Sequence, residues 1–464
     1  MGTASKKKTQ LQVVKPIEPA APVPVLRTID LFCGAGGITE GFRLAGYECL
    51  YANDSMPEAI ETFRHNHSEA WADCRNIEDV KPSDIRAKLK IAKGELDVLA
   101  GGPPCQGFSI NAPERFLSDP RNKLFKDYVR FLEEFEPKTF LFENVPGLLS
   151  LGDGKVLDRI LREFARLDYH VTVKILLAAH YGVPQERWRL ILLGSKYGEI
   201  APPEPLHYAA GRANFRGGGG ALIFRLAESD KRRLPPAVTV GEAIGDLPRL
   251  EMGEGAETIG YTVGKVSEYA LSMRNPEGVV YNHFAAKLSK QNAERMKHVK
   301  PGGSWRDIPH HLLPRGMQRA RKSDHTKRYG RLSNDRLAGT VMTKCDPHWG
   351  TVFLPDQDRS LTVREAARFQ SFPDSYKQVG NAVPVLVLRN AATKKLVMLL
   401  AMRCLRGNRR DGSVCFEMCA DLQRNRLGHE QSFSATALMT SRRRPNRPAN
   451  RSNARFCARP VPKH

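Results

Sequence analysis

Three short stretches carry residues that could do chemistry together. The first is Gly101-Gly102-Pro103-Pro104-Cys105-Gln106-Gly107-Phe108-Ser109. It follows Leu96–Ala100, whose apolar character predicts a buried strand. Two glycines and two prolines then forbid regular continuation. Cys105 therefore stands on a rigid turn at a strand's carboxyl end, where open α/β sheets hold their ligands. An isolated cysteine is more often an inert small hydrophobe, but these flanks argue for a nucleophile. The second stretch is the apolar strand Thr139–Phe142, which delivers Glu143-Asn144-Val145-Pro146 to the same edge. A buried carboxylate without a partner is costly, so such groups tend to hold a proton at neutral pH. The plainer alternative is a strand-end glutamate facing water. The third is Gln185-Glu186-Arg187-Trp188-Arg189. In extended chain alternate residues share a face, so both guanidinia point one way. They suit phosphate or a base carbonyl and can lower a nearby thiol's pKa. A thiol nucleophile, a proton donor and a cationic clamp make a set for covalent catalysis.

The segments around these stretches alternate between strand and helix. Arg27–Phe32 predicts a strand, Cys33-Gly34-Ala35-Gly36-Gly37 a glycine-rich turn, and Ile38–Ala45 a helix closed by Gly46. That sequence makes a cofactor-binding shape. A dinucleotide fingerprint needs a third glycine three places after Gly36, where Thr39 stands, so a nicotinamide reading is weakened. The strand Tyr47–Asn53 ends on Asp54, about twenty residues after the turn, placed either to accept from ribose hydroxyls or to cap a helix starting near Pro57. A helix up to Phe135, stopped by Pro137, an amphipathic helix over 155–167, and strands His170–Ala178 and Ile191–Gly194 complete the pattern. It predicts an α/β fold with a doubly wound, mostly parallel sheet.

The length of 464 residues allows two sizeable cores, and 41% apolar with 26% charged residues is a globular composition. The net charge is +22. Residues 287–336 hold fourteen Lys and Arg against four Asp and Glu, and residues 402–464 repeat that ratio. Basic stretches of this kind suit a polyanion, most simply nucleic acid. Nine cysteines lie without a disulfide or zinc framework, which points to a reducing compartment and no structural metal. No apolar run reaches membrane-span length. Residues 1–26 predict a disordered lead-in, and residues 403–464 a basic, disordered tail.

Gly-Pro-Pro-Cys-Gln-Gly-Phe-Ser resembles the nucleophile loop of the C5-cytosine DNA methyltransferases, and the resemblance recurs in the family's order from Asp30 to about Val385. It implies a Rossmann-like, S-adenosyl-L-methionine-dependent domain over 27–204 and a smaller basic target-recognition domain over 205–355. A closing segment over 356–402 would return to the first domain. Phe32, Gly34, Gly36 and Gly37 would lie along the methionine side, Asp54 at the ribose and Asp73 near the adenine amino group. Pro103, Asn381 and Ala382 would also touch the cofactor. Ser55 departs from the pattern, since many members carry a larger apolar side chain there. Cys105 would be the nucleophile, Glu143 the donor to N3, and Arg187 and Arg189 the anchors of base and phosphate. The substrate would be a cytosine flipped out of double-stranded DNA. The family reading further implies a bacterial, cytoplasmic, nucleoid-associated monomer of restriction-modification type, with a restriction endonuclease acting on the same site. An RNA cytosine methyltransferase and a DNA-binding pseudoenzyme of this fold are the alternatives.

Two features concern the closing segment. Thr362, with Glu365 three residues on, predicts a capped short helix. Phe372-Pro373-Asp374-Ser375-Tyr376 then runs directly into Lys377-Gln378-Val379-Gly380, where relatives have an intervening segment. The short junction predicts strain, with the helix over Thr362–Gln370 displaced or partly unwound, or the final motif undocked.

Overall fold

The computed structural model describes residues 25–104, 124–211, 219–262, 264–324, 327–342, 345–376, 384–387 and 389. Cys105, Asn381 and Ala382 lie outside the described residues, as do Gly217 and Gly218 of the glycine run at 217–220 and residues 377–383. Chain contacts divide residues 1–404 from 405–464, and every described residue belongs to the first unit.

Seven strands form one sheet: β1 (Leu26–Leu31), β2 (Tyr47–Asn53), β3 (Trp71–Asp73), β4 (Val98–Gly101), β5 (Thr139–Asn144), β6 (His170–Leu177) and β7 (Trp188–Ser195). Their order is β3-β2-β1-β4-β5-β7-β6. The first five are parallel, and β7 runs antiparallel to both β5 and β6. The register sets the site. Leu31 pairs with Asn53 and Gly101, Asn53 with Asp73, and Gly101 with Phe142. The residues that follow, Phe32, Asp54, Gly102 and Glu143, therefore emerge along one edge.

Helices α1 (Gly37–Arg43), α2 (Pro57–Asn66), α3 (Pro82–Leu89), α4 (Leu124–Phe135) and α5 (Lys155–Arg166) accompany the sheet. Strand alternation sorts its core into two layers. Ile29, Leu31, Leu99, Phe140, Phe142, Leu190 and Leu192 pack with Tyr128, Phe131, Ile160 and Phe164 of α4 and α5. Val98, Ala100, Leu141, Ile191 and Leu193 pack with Ile38 and Phe42 of α1 and with Val387. The apolar stripe of α4 recurs at Phe125, Tyr128, Val129, Leu132 and Phe135, the spacing of one buried helix face. The Tyr128 hydroxyl lies 3.0 Å from the Leu99 carbonyl and 3.1 Å from that of Leu141, pinning α4 over β4 and β5. A side chain at Gly101 would meet the Leu31 carbonyl at 2.8 Å and the Tyr128 ring at 3.0 Å. Glycine is what lets the chain leave β4 there.

Residues 219–376 hold short elements: α6 (Glu228–Arg233), α7 (Val240–Ile244), β8 (Gly255–Gly260), α8 (Glu268–Met273), β9 (Val279–Phe284), α9 (Lys290–Lys297), α10 (Arg315–Gln318), β10 (Gly330–Arg331), β11 (Thr351–Phe353) and α11 (Val363–Phe369). They gather around two apolar clusters. One centres on Val240, Tyr269, Met273, Val280 and Phe369, the other on Met296, Trp305, Ile308, Met317 and Phe353. Helix α11 is intact. Thr362 Oγ1 accepts from the Glu365 amide and the Glu365 carboxylate accepts from the Thr362 amide. The expectation of a partly unwound helix is corrected here. The reason is a set of buried ion pairs: Arg359–Glu365 at 2.7 Å, Arg368–Asp246 at 2.8 Å and Arg368–Asp374 at 2.6 Å. The chain returns at residues 384–387, where the Val385 amide donates to the Gln370 carbonyl and the Leu386 amide to Ser371 Oγ.

Candidate active site

Glu143 lies within β5, opposite Ile191 of β7, one residue inside the strand where a position after the strand was expected. Pairing with antiparallel β7 extends β5 through Asn144. Alternation then puts Glu143 and Arg189 on the same face as diagonal cross-strand neighbours. Arg189 Nε donates to Glu143 Oε1 at 2.7 Å, with both side chains about nine-tenths buried. The other carboxyl oxygen, Oε2, is 2.9 Å from where a Cβ on Gly102 would stand, so it faces the start of the loop leading to Cys105. Asn144 Nδ2 donates to the Pro103 carbonyl at 3.3 Å and clasps that loop to β5. Asn144 was not singled out from the sequence, although it follows Glu143 directly.

Arg187 is 1% exposed and feels the charges of both Arg189 and Glu143. Arg187 directly precedes β7, so strand alternation places Arg189 alone beside Glu143. Burial, reinforced by Arg189, pushes the Arg187 guanidinium well below its ordinary value, and Glu143 opposes that shift. Burial likewise lowers Arg189, partly offset by Glu143. Two cations held this way gain from an anion entering the site.

The glycine-rich turn sits on the same edge. Phe32, Gly34 and Gly36 all have positive φ, at 57°, 53° and 91°. Gly36 is the N-cap of α1 and Gly37 its first residue. The turn is held from below by buried Asp30, which accepts from the Thr39 amide at 3.1 Å and its hydroxyl at 2.7 Å. Burial pushes the Asp30 carboxyl up to about 7 against those two hydrogen bonds. Thr39, which breaks the dinucleotide fingerprint, thus has a structural duty.

Asp54 does not take the capping role, one of its two expected duties. One oxygen accepts from the Gly34 amide and the other from the Met56 amide, each at 2.9 Å. The N-cap of α2 is Met56, with no side-chain cap. Asp54 therefore fixes the turn and leads into α2 without capping it. Asp73 is buried, accepts from Tyr51 Oη at 2.9 Å and forms an ion pair with Arg75 at 2.6 Å. Burial opposes its charge, yet Arg75 and Tyr51 outweigh that and hold it below the usual carboxylate value. Among the described residues, chain neighbours aside, no heavy atom lies within 4 Å of a Cβ built on Gly34. A left-handed turn with an open outer side, flanked by Asp54 and ending at a helix N-terminus, fits a cofactor with a polar tail and ribose hydroxyls. Among the described residues no cluster of His, Cys, Asp or Glu could hold a metal ion, and no helix is long and apolar enough to cross a membrane.

Comparison with known proteins bears on this geometry. The family model for C-5 cytosine-specific DNA methylase matches residues 26–396. The chain is 35% identical over 426 residues to Type II methyltransferase M.AgeI of Thalassovita gelatinovora, covering 79% of this chain and 98% of that protein. It is 33% identical over 401 residues to Type II methyltransferase M.DdeI of Desulfomicrobium norvegicum, covering 80% and 88%. A solved E. coli structure, described as a DNA modification methyltransferase encoded within a prophage, superposes with a TM-score of 0.57 at 23% identity, over 81% of this chain and 99% of that one; it supports the fold alone. The chain belongs to the C-5 cytosine-specific DNA methylases, S-adenosylmethionine-dependent enzymes that methylate cytosine in DNA.

Proposed function

We propose that the methyl transfer runs through a covalent adduct between Cys105 and C6 of a cytosine flipped out of double-stranded DNA. The observation that carries this is the Glu143–Arg189 pair, with Glu143 Oε2 facing Gly102, three residues before Cys105. Cytosine C5 belongs to an aromatic ring and is a poor nucleophile. Addition of the Cys105 thiolate to C6 forms a C–S bond and moves an electron pair toward C5, while Glu143 gives a proton to N3. Arg189 orients the Glu143 carboxyl, and Arg187 and Arg189 together neutralise the base carbonyl or the phosphate beside it. S-adenosylmethionine supplies the electrophilic methyl group that ends on C5. A base then removes the C5 proton, the C–S bond breaks, the thiolate leaves and the N3 proton returns to Glu143.

Phe32, Gly34, Gly36 and Gly37 hold the methionine side of the cofactor and Asp54 the ribose hydroxyls. Asp73, fixed by Tyr51 and Arg75, borders the adenine end with Pro103, and Asn381 and Ala382 complete the site. Residues 205–355 form the target-recognition domain, whose basic stretch reads the duplex, and 356–402 close back on the catalytic domain of residues 27–204. Residues 403–464 supply only non-specific, salt-sensitive attraction to DNA. The enzyme acts as a monomer on chromosomal DNA in a bacterial cytoplasm, protecting sites cut by a cognate restriction endonuclease. Bisulfite sequencing of DNA from cells expressing the chain tests this. One short sequence motif should carry 5-methylcytosine, and C105A should erase it. A mark retained with C105A rejects the mechanism.

A further inference from the structure

Tyr376, the last described residue before the final motif, reaches back to the cofactor turn. Its ring is 2% exposed and packs on Phe372 and His67. Its hydroxyl lies 2.7 Å from His67 Nε2 and 3.3 Å from Glu40 Oε2, across 309 and 336 residues of chain. Both partners belong to the glycine-rich turn's immediate support. Glu40 is on the first turn of α1, is 2% exposed and is held by a bidentate contact from Arg43. His67, the C-cap of α2, is fully buried and packs at a tilt against Phe63. Its imidazole fills the space beside Gly36, where a Cβ would meet His67 Cδ2 and Nε2 at 2.8 Å. Burial pushes His67 down to about 4, so the ring is neutral at physiological pH and the contact is a neutral hydrogen bond.

We propose that Tyr376 is a positioning residue for methyl transfer: its hydroxyl, through His67 and Glu40, holds the Gly36 turn in its left-handed form, so docking of the closing segment sets S-adenosylmethionine affinity. The idea rests on the cofactor lying at that turn. It gives the short junction a purpose, because Tyr376 itself ties the closing segment to the turn. A tie made only for general stability would support every ligand alike. This one touches the two helices that flank the turn and neither Glu143 nor the arginines.

The test uses the full-length protein with calorimetry for S-adenosylmethionine, and gel shift for duplex DNA without cofactor. Y376F keeps the buried ring and loses the hydroxyl. It should weaken S-adenosylmethionine about three- to tenfold, the loss of one buried hydrogen bond. DNA affinity should stay within about twofold, and the rate at saturating cofactor should be unchanged, on the same estimate. D54A is the comparison arm, because it removes a turn contact, to the Gly34 amide, that does not involve Tyr376, His67 or Glu40. If D54A weakens cofactor binding and Y376F does not, the tie is wrong and the site stands. If neither weakens it, the cofactor lies elsewhere and the proposal falls with it. Equal loss of cofactor and DNA affinity in Y376F would make the contact merely structural and overturn the proposal.

Discussion

Glu143 on β5 and Arg189 on β7 meet as diagonal cross-strand neighbours, Nε to Oε1 at 2.7 Å, in a nearly dry site. The relationship exists because β7 alone runs antiparallel to its neighbours. E143Q retains the shape and an acceptor for Arg189 but cannot give a proton to N3. Its turnover should fall at least about a hundredfold, with S-adenosylmethionine affinity unchanged. R189A instead strands a buried carboxylate and should cost about 3–5 kcal/mol of stability as well as activity. Denaturant unfolding and steady-state kinetics separate the two. An active E143Q would remove Glu143 from the proton path.

Asp54 ties the Gly34 amide with one oxygen and the approach to α2 with the other. D54A should weaken S-adenosylmethionine binding by about 1–3 kcal/mol, the range for polar groups left without partners. Unchanged affinity in calorimetry would confine Asp54 to holding the turn.

Two buried groups beside the turn titrate with opposite sign. Asp30 is raised by burial from 3.8 to about 7. Its contribution is present below about pH 4 and is lost as pH rises through 7, because the unfolded chain releases a proton the folded one keeps. His67 is lowered by burial from 6.5 to about 4. Its contribution is present above 6.5 and is lost as pH falls toward 4. D30N should therefore gain on wild type as pH rises from 4 to 7, and H67Q should lose most against wild type above pH 6.5. Urea unfolding at several pH values checks both. Differences that do not vary with pH would contradict the assignments.

Much of the first 200 residues was legible because punctuation and periodicity agree there. Gly46 and Asp54 bound β2, which runs over the expected Tyr47–Asn53. Thr362 and Glu365 cap α11 as their spacing predicts. Glu143 was misplaced by one residue because strand length depends on the partner strand, which local sequence does not state. The Asp246–Arg368–Asp374 pairs and the Tyr376–His67 contact were invisible for a similar reason, joining residues up to 309 positions apart. Residues 219–376 gave no clear period because their helices are short and their clusters draw single residues from many elements. Alternation was only a weak signal for Arg187 and Arg189, and β7 begins at Trp188, so it bears on Arg189 alone.

If residues 205–355 read the DNA, exchanging them for the matching region of a relative should change the methylated sequence and keep the chemistry. Sequencing of methylated sites in cells expressing the chimera would show it. An unchanged motif would put specificity elsewhere in the chain.

The most direct measurement uses duplex DNA carrying 5-fluorocytosine at the target site, incubated with S-adenosylmethionine and then denatured. Fluorine at C5 cannot leave as a proton, so the final elimination stops after the C–S bond has formed. Wild type should yield a denaturant-resistant protein–DNA adduct whose linked peptide contains Cys105, and C105A should yield none. Turnover of ordinary cytosine by the wild type with no adduct on the fluorinated duplex would contradict the covalent mechanism.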